Sequence, residues 1–333
     1  MAVFYIFYRF CFRFYIDFTI TIYNVTKKRG VLMYGIIDIG SNTMRLNIYK
    51  YENQSLYLML SKKLTAGLAS YVEDGSLSDK GIKKAISCLE EFKLILENVP
   101  VDNLYVFATA SLRNIKNSDE ATKQIEDETG FSIEIITGEQ EALLDFYSAG
   151  IKFDLNTGLL LDIGGGSTEI VLYDDSKVKD ALSLEYGSLS LYKKYIDGIF
   201  PSDNELEKIR EKISKSLKKV PKDNFPHNTK SICAVGGTAR AVLKLVNEMK
   251  DENKFEFEVS DLKKILKLYK KDNNKFLQLV VKTAPDRVHT ILPGMTILDT
   301  IAKFFDSKTI LVSDYGIREG YLLKSLHSEV KNV

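Results

Sequence analysis

Twice in this chain an apolar, strand-like run ends in Asp-Ile-Gly and a second apolar run follows within a few residues. The later copy reads Gly158-Leu159-Leu160-Leu161, then Asp162-Ile163-Gly164-Gly165-Gly166-Ser167-Thr168-Glu169, then Ile170-Val171-Leu172-Tyr173. The earlier copy is Tyr34-Gly35-Ile36-Ile37-Asp38-Ile39-Gly40-Ser41-Asn42-Thr43, with Met44, Leu46 and Ile48 continuing in strand alternation. In both, the glycines sit between two strands. A dinucleotide fingerprint instead places them at the opening of a helix. One such hairpin alone reads equally well as a tight turn that binds nothing. Its repetition points to a duplicated α/β domain with a cleft between the copies. The three glycines let the backbone take positive φ and bring its N–H groups close to a bound anion. Flanking carboxylates make sense there if a divalent cation bridges them to it.

A length of 333 residues exceeds the usual size of one core. The expected division is 33–150 and 151–325, with a short tail at 326–333. Residues 1–32 do not match the rest. They are dense in Phe, Tyr and Ile, interrupted by Arg9, Arg13 and Asp17, and hold no uncharged apolar run near the ~18 residues that span a bilayer. We read them as a mis-assigned start, with translation beginning at Met33; an interfacial anchor is the alternative. A net charge of +1 gives no reason to expect nucleic acid or an acidic membrane surface. Cys11, Cys88 and Cys233 are dispersed, as are His227, His289 and His327. That argues for a reducing cytoplasm and against a His-based metal site or a Ser-His-Asp triad.

Further along, apolar residues from Ile82 to Leu96 recur at helical spacing, with Ser78 placed to cap. The strand Leu104–Ala108 ends in Thr109-Ala110-Ser111-Leu112-Arg113, an arginine and two hydroxyls at a strand's carboxyl end, where open sheets gather ligands. A capped helix with a surface arginine would look the same. After Ile133–Ile136, Thr137 and Gln140 have capping-box spacing. Glu141 follows in the first turn, where an acidic residue also simply complements the helix dipole. Ser231–Val235 ends in Gly236-Gly237-Thr238-Ala239-Arg240. Those glycines do open a helix, and either cradle a phosphate or an adenine-like group or allow close packing. Ser313-Asp314-Tyr315-Gly316-Ile317-Arg318-Glu319-Gly320 follows the last strand, Thr309–Val312.

Phosphoryl transfer to water needs an anion cradle, a metal ion and a group that activates the water. Ser41, Asn42 and Thr43 in the first hairpin, and Gly164, Gly165, Gly166 and Ser167 in the second, are candidates for the cradle. Gly236, Gly237 and Thr238 offer another. Arg113, Arg240, Arg287 and Arg318 are candidate phosphate forks. Asp38, Asp162 and Glu169 are candidate metal ligands, and a site with carboxylates and no histidine favours Mg²⁺ over zinc. With no histidine in these loops, the base must be a carboxylate, and Glu141 is best placed.

Asp38–Thr43, Ala108–Arg113, Gly138–Ala142, Asp162–Glu169, Ala234–Ala239 and Ser313–Gly320, taken together and in order, resemble the exopolyphosphatase/guanosine pentaphosphatase (Ppx/GppA) family over about residues 33–325. The resemblance implies an α/β fold of two ribonuclease-H-like domains around a central cleft, as in the actin, sugar-kinase and heat-shock-chaperone superfamily. It implies Mg²⁺-dependent hydrolysis of the terminal phosphate of inorganic polyphosphate, or alternatively of the 5′ γ-phosphate of guanosine pentaphosphate. Glu141 matches the family's catalytic glutamate, Arg113 a phosphate-binding arginine, Gly164, Gly165 and Ser167 the second phosphate loop, and Glu169 the acidic residue implicated in metal binding. Gln140 departs from the family's Gly-x-Glu-Glu-Ala. The chain resembles the short members, which lack C-terminal helical domains. A homodimer is left open. A kinase of the same superfamily, or an actin-like nucleotide switch that works by assembly, is the competing class.

Overall fold

The computed structural model describes residues 32–52, 55–218 and 229–331, with side chains through Leu326. The expected leader, apart from Leu32, lies outside these residues. The chain divides into two compact units. One runs to Ile39, then Thr43–Ile136, and resumes at Arg318; the other comprises Gly40–Asn42 and Thr137–Ile317.

In the first unit, strands β1 (Leu32–Ile39), β2 (Thr43–Glu52) and β3 (Ser55–Thr65) form an antiparallel meander. A small hairpin, β4 (Val72–Glu73) and β5 (Ser76–Leu77), precedes the helix Asp79–Asn98. Strand β6 (Asn103–Ala108) joins parallel to β1, and β7 (Glu134–Ile135) parallel to β6, giving the order β3-β2-β1-β6-β7. Met44, Leu46 and Ile48 point into the core, as strand alternation requires. Ile82, Ala85, Leu89 and Phe92 bury one stripe of the helix. Ser78 does stand at the N-cap, but its hydroxyl makes no capping bond and has no partner. Residue type placed the cap correctly while the side chain turned elsewhere.

The second unit repeats the strand order. Strands β8 (Gly158–Ile163), β9 (Thr168–Asp174) and β10 (Lys177–Leu184) form the meander. β11 (Ser231–Val235) joins parallel to β8, and β13 (Thr309–Val312) parallel to β11. With β12 (Glu256–Glu258) antiparallel on the edge, the order is β10-β9-β8-β11-β13-β12. The helix Ile291–Phe304 is apolar on nearly every face and lies deep in this core. The lysine-rich stretch after β12 resolves into helices Val259–Lys271 and Asn273–Thr283.

The units part at 136/137, where 150/151 was expected. The cause is the helix Gly138–Ala149, whose Ala142, Phe146 and Ala149 pack on Leu160, Val171, Tyr173, Cys233 and Val235 of the second sheet. The last helix, Ile317–Lys331, belongs to the first unit from Arg318 on and runs through most of the expected tail. There the Tyr321 ring stacks on Phe107 at 4.8 Å, and its hydroxyl donates to Glu134. Among the described residues, no helix is long and apolar enough to cross a membrane.

Candidate active site

The antiparallel register of β8 and β9 places Asp162 directly opposite Glu169. Both are buried, Glu169 completely. Like charges facing each other across a strand pair are destabilising, so this pairing is one the fold would avoid unless something binds there. Ser183, opposite Glu169 on β10, donates its hydroxyl to that carboxylate at 2.9 Å.

Glu141 arrives from the helix Gly138–Ala149. The expected capping box is present: Gln140 N–H donates to Thr137 Oγ1 at 3.1 Å, and Thr137 N–H donates to Gln140 Oε1 at 2.8 Å. Gln140, the departure from the family motif, is thus spent on the cap, a position that accepts Glu or Gln alike. Glu141, one residue on, is buried. One ligand atom each from Glu141, Asp162 and Glu169 lie within 4.8 Å of one another. These three are the one potential metal-binding group of His, Cys, Asp or Glu among the described residues. Oxygen donors of this kind suit a hard divalent cation. Burial raises the Glu169 carboxyl well above its usual range, and Glu141 and Asp162 push it further; the hydroxyls of Ser167 and Ser183 oppose them.

One helical turn beyond Glu141 stands Asp145, which no sequence motif marks. It is 1% exposed. Burial raises its carboxyl strongly, followed by the charges of Asp162, Glu141 and Glu169.

The glycine turn does not use the torsional freedom that its sequence allows. Gly164, Gly165 and Gly166 have no positive φ. Glycine is required there by close approach. Gly164 N–H closes the turn onto the Ser167 carbonyl at 3.0 Å, and Ser188 N–H bonds the Gly164 carbonyl at 2.9 Å. A Cβ at Gly187 would lie 2.4 Å from that same carbonyl oxygen. Gly40–Asn42 group with this unit, and a Cβ at Gly165 would lie 3.3 Å from Asn42 Cβ and 3.4 Å from Ser41 Cβ. Ser41, Asn42 and Ser167 are buried, and Thr43 opens β2 partly exposed.

Gly236 does take positive φ, +79°, and a Cβ there would lie 1.9 Å from Asp162 Oδ1. At Gly237 a Cβ would lie 2.1 Å from Arg287 Nη2. Arg287 Nη1 donates to Thr238 Oγ1 at 3.4 Å. Burial lowers the Arg287 guanidinium, while Asp286 and Asp162 favour its charge. Glu141, Asp162, Glu169, Gly236, Gly237, Thr238 and Arg287 therefore form one connected neighbourhood. Arg240 instead donates to the carbonyls of Ser313 and Asp314.

In the first unit the equivalent hairpin carries different chemistry. Asp38 is opposite Arg45 where the second hairpin has two carboxylates, and Arg318 Nη1 donates to Asp38 Oδ2 at 2.8 Å. Burial raises the Asp38 carboxyl and Arg318 draws it back down; the Arg318 guanidinium itself is raised, burial opposing the pull of Asp38. Tyr49 donates to Glu319 close by. Asp38 is thus held by an arginine, and the three-carboxylate group does not contain it. Arg113, at the end of the turn after β6, donates through Nη1 to the Ile136 carbonyl at 3.0 Å.

Two sheets with the same strand order, each opening with a strand-loop-strand hairpin, define the ribonuclease-H-like class shared by actin, sugar kinases and heat-shock chaperones. The Ppx/GppA phosphatase family matches residues 47–329, and the chain belongs to that family. A bifunctional 3-dehydroquinate synthase/phosphatase of Fusobacterium nucleatum is 27% identical over 324 residues, covering 92% of this chain and 48% of its own length. The chain therefore spans about half of that relative. Exopolyphosphatase 1 of Mycobacterium tuberculosis is 24% identical over 304 residues, 89% of this chain and 88% of its own. The crystal structure of the Aquifex aeolicus Ppx/GppA family member superimposes with a TM-score of 0.72 at 26% identity, covering 90% of this chain and 99% of that one.

Proposed function

We propose that the chain is a Mg²⁺-dependent exopolyphosphatase that removes the terminal phosphate of inorganic polyphosphate. The observation that carries this reading is the convergence of Glu141, Asp162 and Glu169, all buried, within 4.8 Å beside a glycine turn, in a chain of a phosphatase family. The mycobacterial relative's name supports the substrate class.

In this reading Asp162 and Glu169 would hold Mg²⁺, which when bound would supply positive charge for the phosphoryl oxygens and for the carboxylates. The turn Gly164–Ser167 offers backbone N–H groups and a hydroxyl to the terminal phosphate. Arg287, beside Gly237 and Thr238, adds cationic support where negative charge builds up. Glu141 takes a proton from water as its oxygen bonds to the terminal phosphorus. The bridging P–O bond breaks, its electrons stay with the shortened chain, and orthophosphate leaves. Guanosine pentaphosphate presents the same anhydride to the same groups.

The test is phosphate release from polyphosphates of several lengths, guanosine pentaphosphate and nucleoside triphosphates, with Mg²⁺ and with chelator. Mg²⁺-dependent release from polyphosphate, fastest in the panel, is expected. Preference for guanosine pentaphosphate would reassign the substrate. Nucleotide-dependent assembly without release would replace the reading with an actin-like switch.

A further inference from the structure

Asp145 has no role in the steps above, yet it is among the least exposed charged side chains of the second unit, at 1%. Neither carboxylate oxygen receives a hydrogen bond from a donor among the described residues. The groups acting on it most strongly, Asp162, Glu141 and Glu169, all carry its own sign, and the Asp162 carboxyl faces it within hydrogen-bonding range. It also meets the loop after β13: a Cβ at Gly316 would lie 3.7 Å from Asp145 Oδ1. Helical geometry explains the placement, because positions four apart share a face. Glu141 and Asp145 lie one turn apart on the helix Gly138–Ala149, and one turn further stands Ala149, which with Ala142 and Phe146 is packed on the sheet.

An ionised carboxylate with no donor and anionic neighbours is unfavourable in a protein interior unless it holds its proton or a cation compensates it. A salt bridge would do so, but no cation stands among the strongest charges on it. A hydroxyl would do so too, as Ser183 does for Glu169. Ser148, one turn on, donates to the Asp145 main-chain carbonyl at 2.9 Å and so leaves the carboxylate alone.

We propose that Asp145 is a third carboxylate of the cation site formed by Asp162 and Glu169 beside Glu141, and that it strengthens divalent-cation binding. This deepens the proposed function and rests on its reading of Asp162 and Glu169 as the ligands of a cation. Asp145 reaches the group at Asp162. From there it either contacts the ion or accepts hydrogen bonds from the water that such ions retain. Residues in this supporting position commonly set affinity by 10- to 100-fold.

The experiment is direct titration of the purified full chain with Mn²⁺, followed by the spin signal of free Mn²⁺, and with Mg²⁺ by calorimetry; neither needs substrate. Asp145→Asn should raise Kd for both ions about 10- to 100-fold. Glu139→Gln, which removes an exposed charge from the same helix, should leave Kd unchanged. If Asp145→Asn does not fold, Asp145→Ala is titrated and the same shift is expected. Wild-type affinity in the variant that folds, with wild-type phosphate release intact, would overturn the role of Asp145 alone. A wild-type chain that binds neither ion would overturn it together with the cation reading. Weakened ion binding in Asp145→Asn, in a protein that releases no phosphate from any substrate, would uphold the site and refute only the assigned reaction.

Discussion

Gly236→Ala separates the cost of a backbone angle from the cost of displacing a carboxylate. Gly236 has φ +79°, where a side chain costs about 1–2 kcal/mol. For a unit of this size that lowers Tm by about 2–8 °C, taking about 2–4 °C per kcal/mol. Gly67→Ala is the control, because Gly67 has φ +61° and nothing within 4 Å of its absent Cβ. It should show the backbone cost alone. At Gly236 the new Cβ would lie 1.9 Å from Asp162 Oδ1, against the 3.4 Å at which ordinary contact begins, so the oxygen must retreat by about 1.5 Å. Misplacing a reacting constellation by about 1 Å can cost about 100-fold in rate. Thermal melts and steady-state phosphate release on both variants give the comparison. The expected result is a Tm loss in both, the larger in Gly236→Ala, with a fall in kcat of about 100-fold or more confined to Gly236→Ala. Near-wild-type kcat in a folded Gly236→Ala would show that the position of Asp162 does not matter to turnover.

Three other outcomes are expected. The Glu169 carboxyl is raised in the folded state, so its protonated form is favoured by folding. Its stabilising contribution is full below the unfolded value near 4.5 and is lost as pH climbs toward the raised value. In chelator, the Tm of wild type minus that of Glu169→Gln should therefore become more negative as pH rises above 4.5; a flat or rising difference would contradict the burial argument. Arg318→Leu leaves Asp38, whose side chain is only 14% exposed, without its ion-pair partner. Urea denaturation should show a loss of about 3–5 kcal/mol, and a loss under about 1 kcal/mol would mean the pair is effectively solvated. Arg287→Ala should raise KM for polyphosphate about 10- to 100-fold, the worth of a charge-assisted hydrogen bond. Arg287→Lys should not restore it, because the fork is lost; full rescue by lysine would reduce the contact to simple charge.

Much of this architecture was legible because its signals are local. Apolar runs on either side of Gly40 and Gly164–Gly166 specify strand-turn-strand, and Thr137 with Gln140 specifies a helix start that the structure closes on both sides. Glycine, by contrast, signals only a missing side chain. It does not say whether torsion or contact demands this: contact does at Gly164 and Gly165, and a positive φ does at Gly236. Asp145 is not legible for a related reason. An aspartate four residues after Glu141, on a helix otherwise carrying Ala142, Leu143, Phe146 and Ala149, was the available signal, but only the packing shows that this face is buried. The unlike partners of Asp38 and Asp162, Arg45 and Glu169, also needed register, since each lies across a hairpin and not along the chain.

The most direct test of the account is Glu141→Gln, assayed for Mg²⁺-dependent phosphate release from polyphosphate and, on the same preparation, for polyphosphate binding. If the carboxylate draws the proton from water, release should fall by about 100- to 10,000-fold while Kd for the polymer changes little. Release at the wild-type rate would remove Glu141 from the chemistry and, with it, the mechanism assigned to the buried carboxylates.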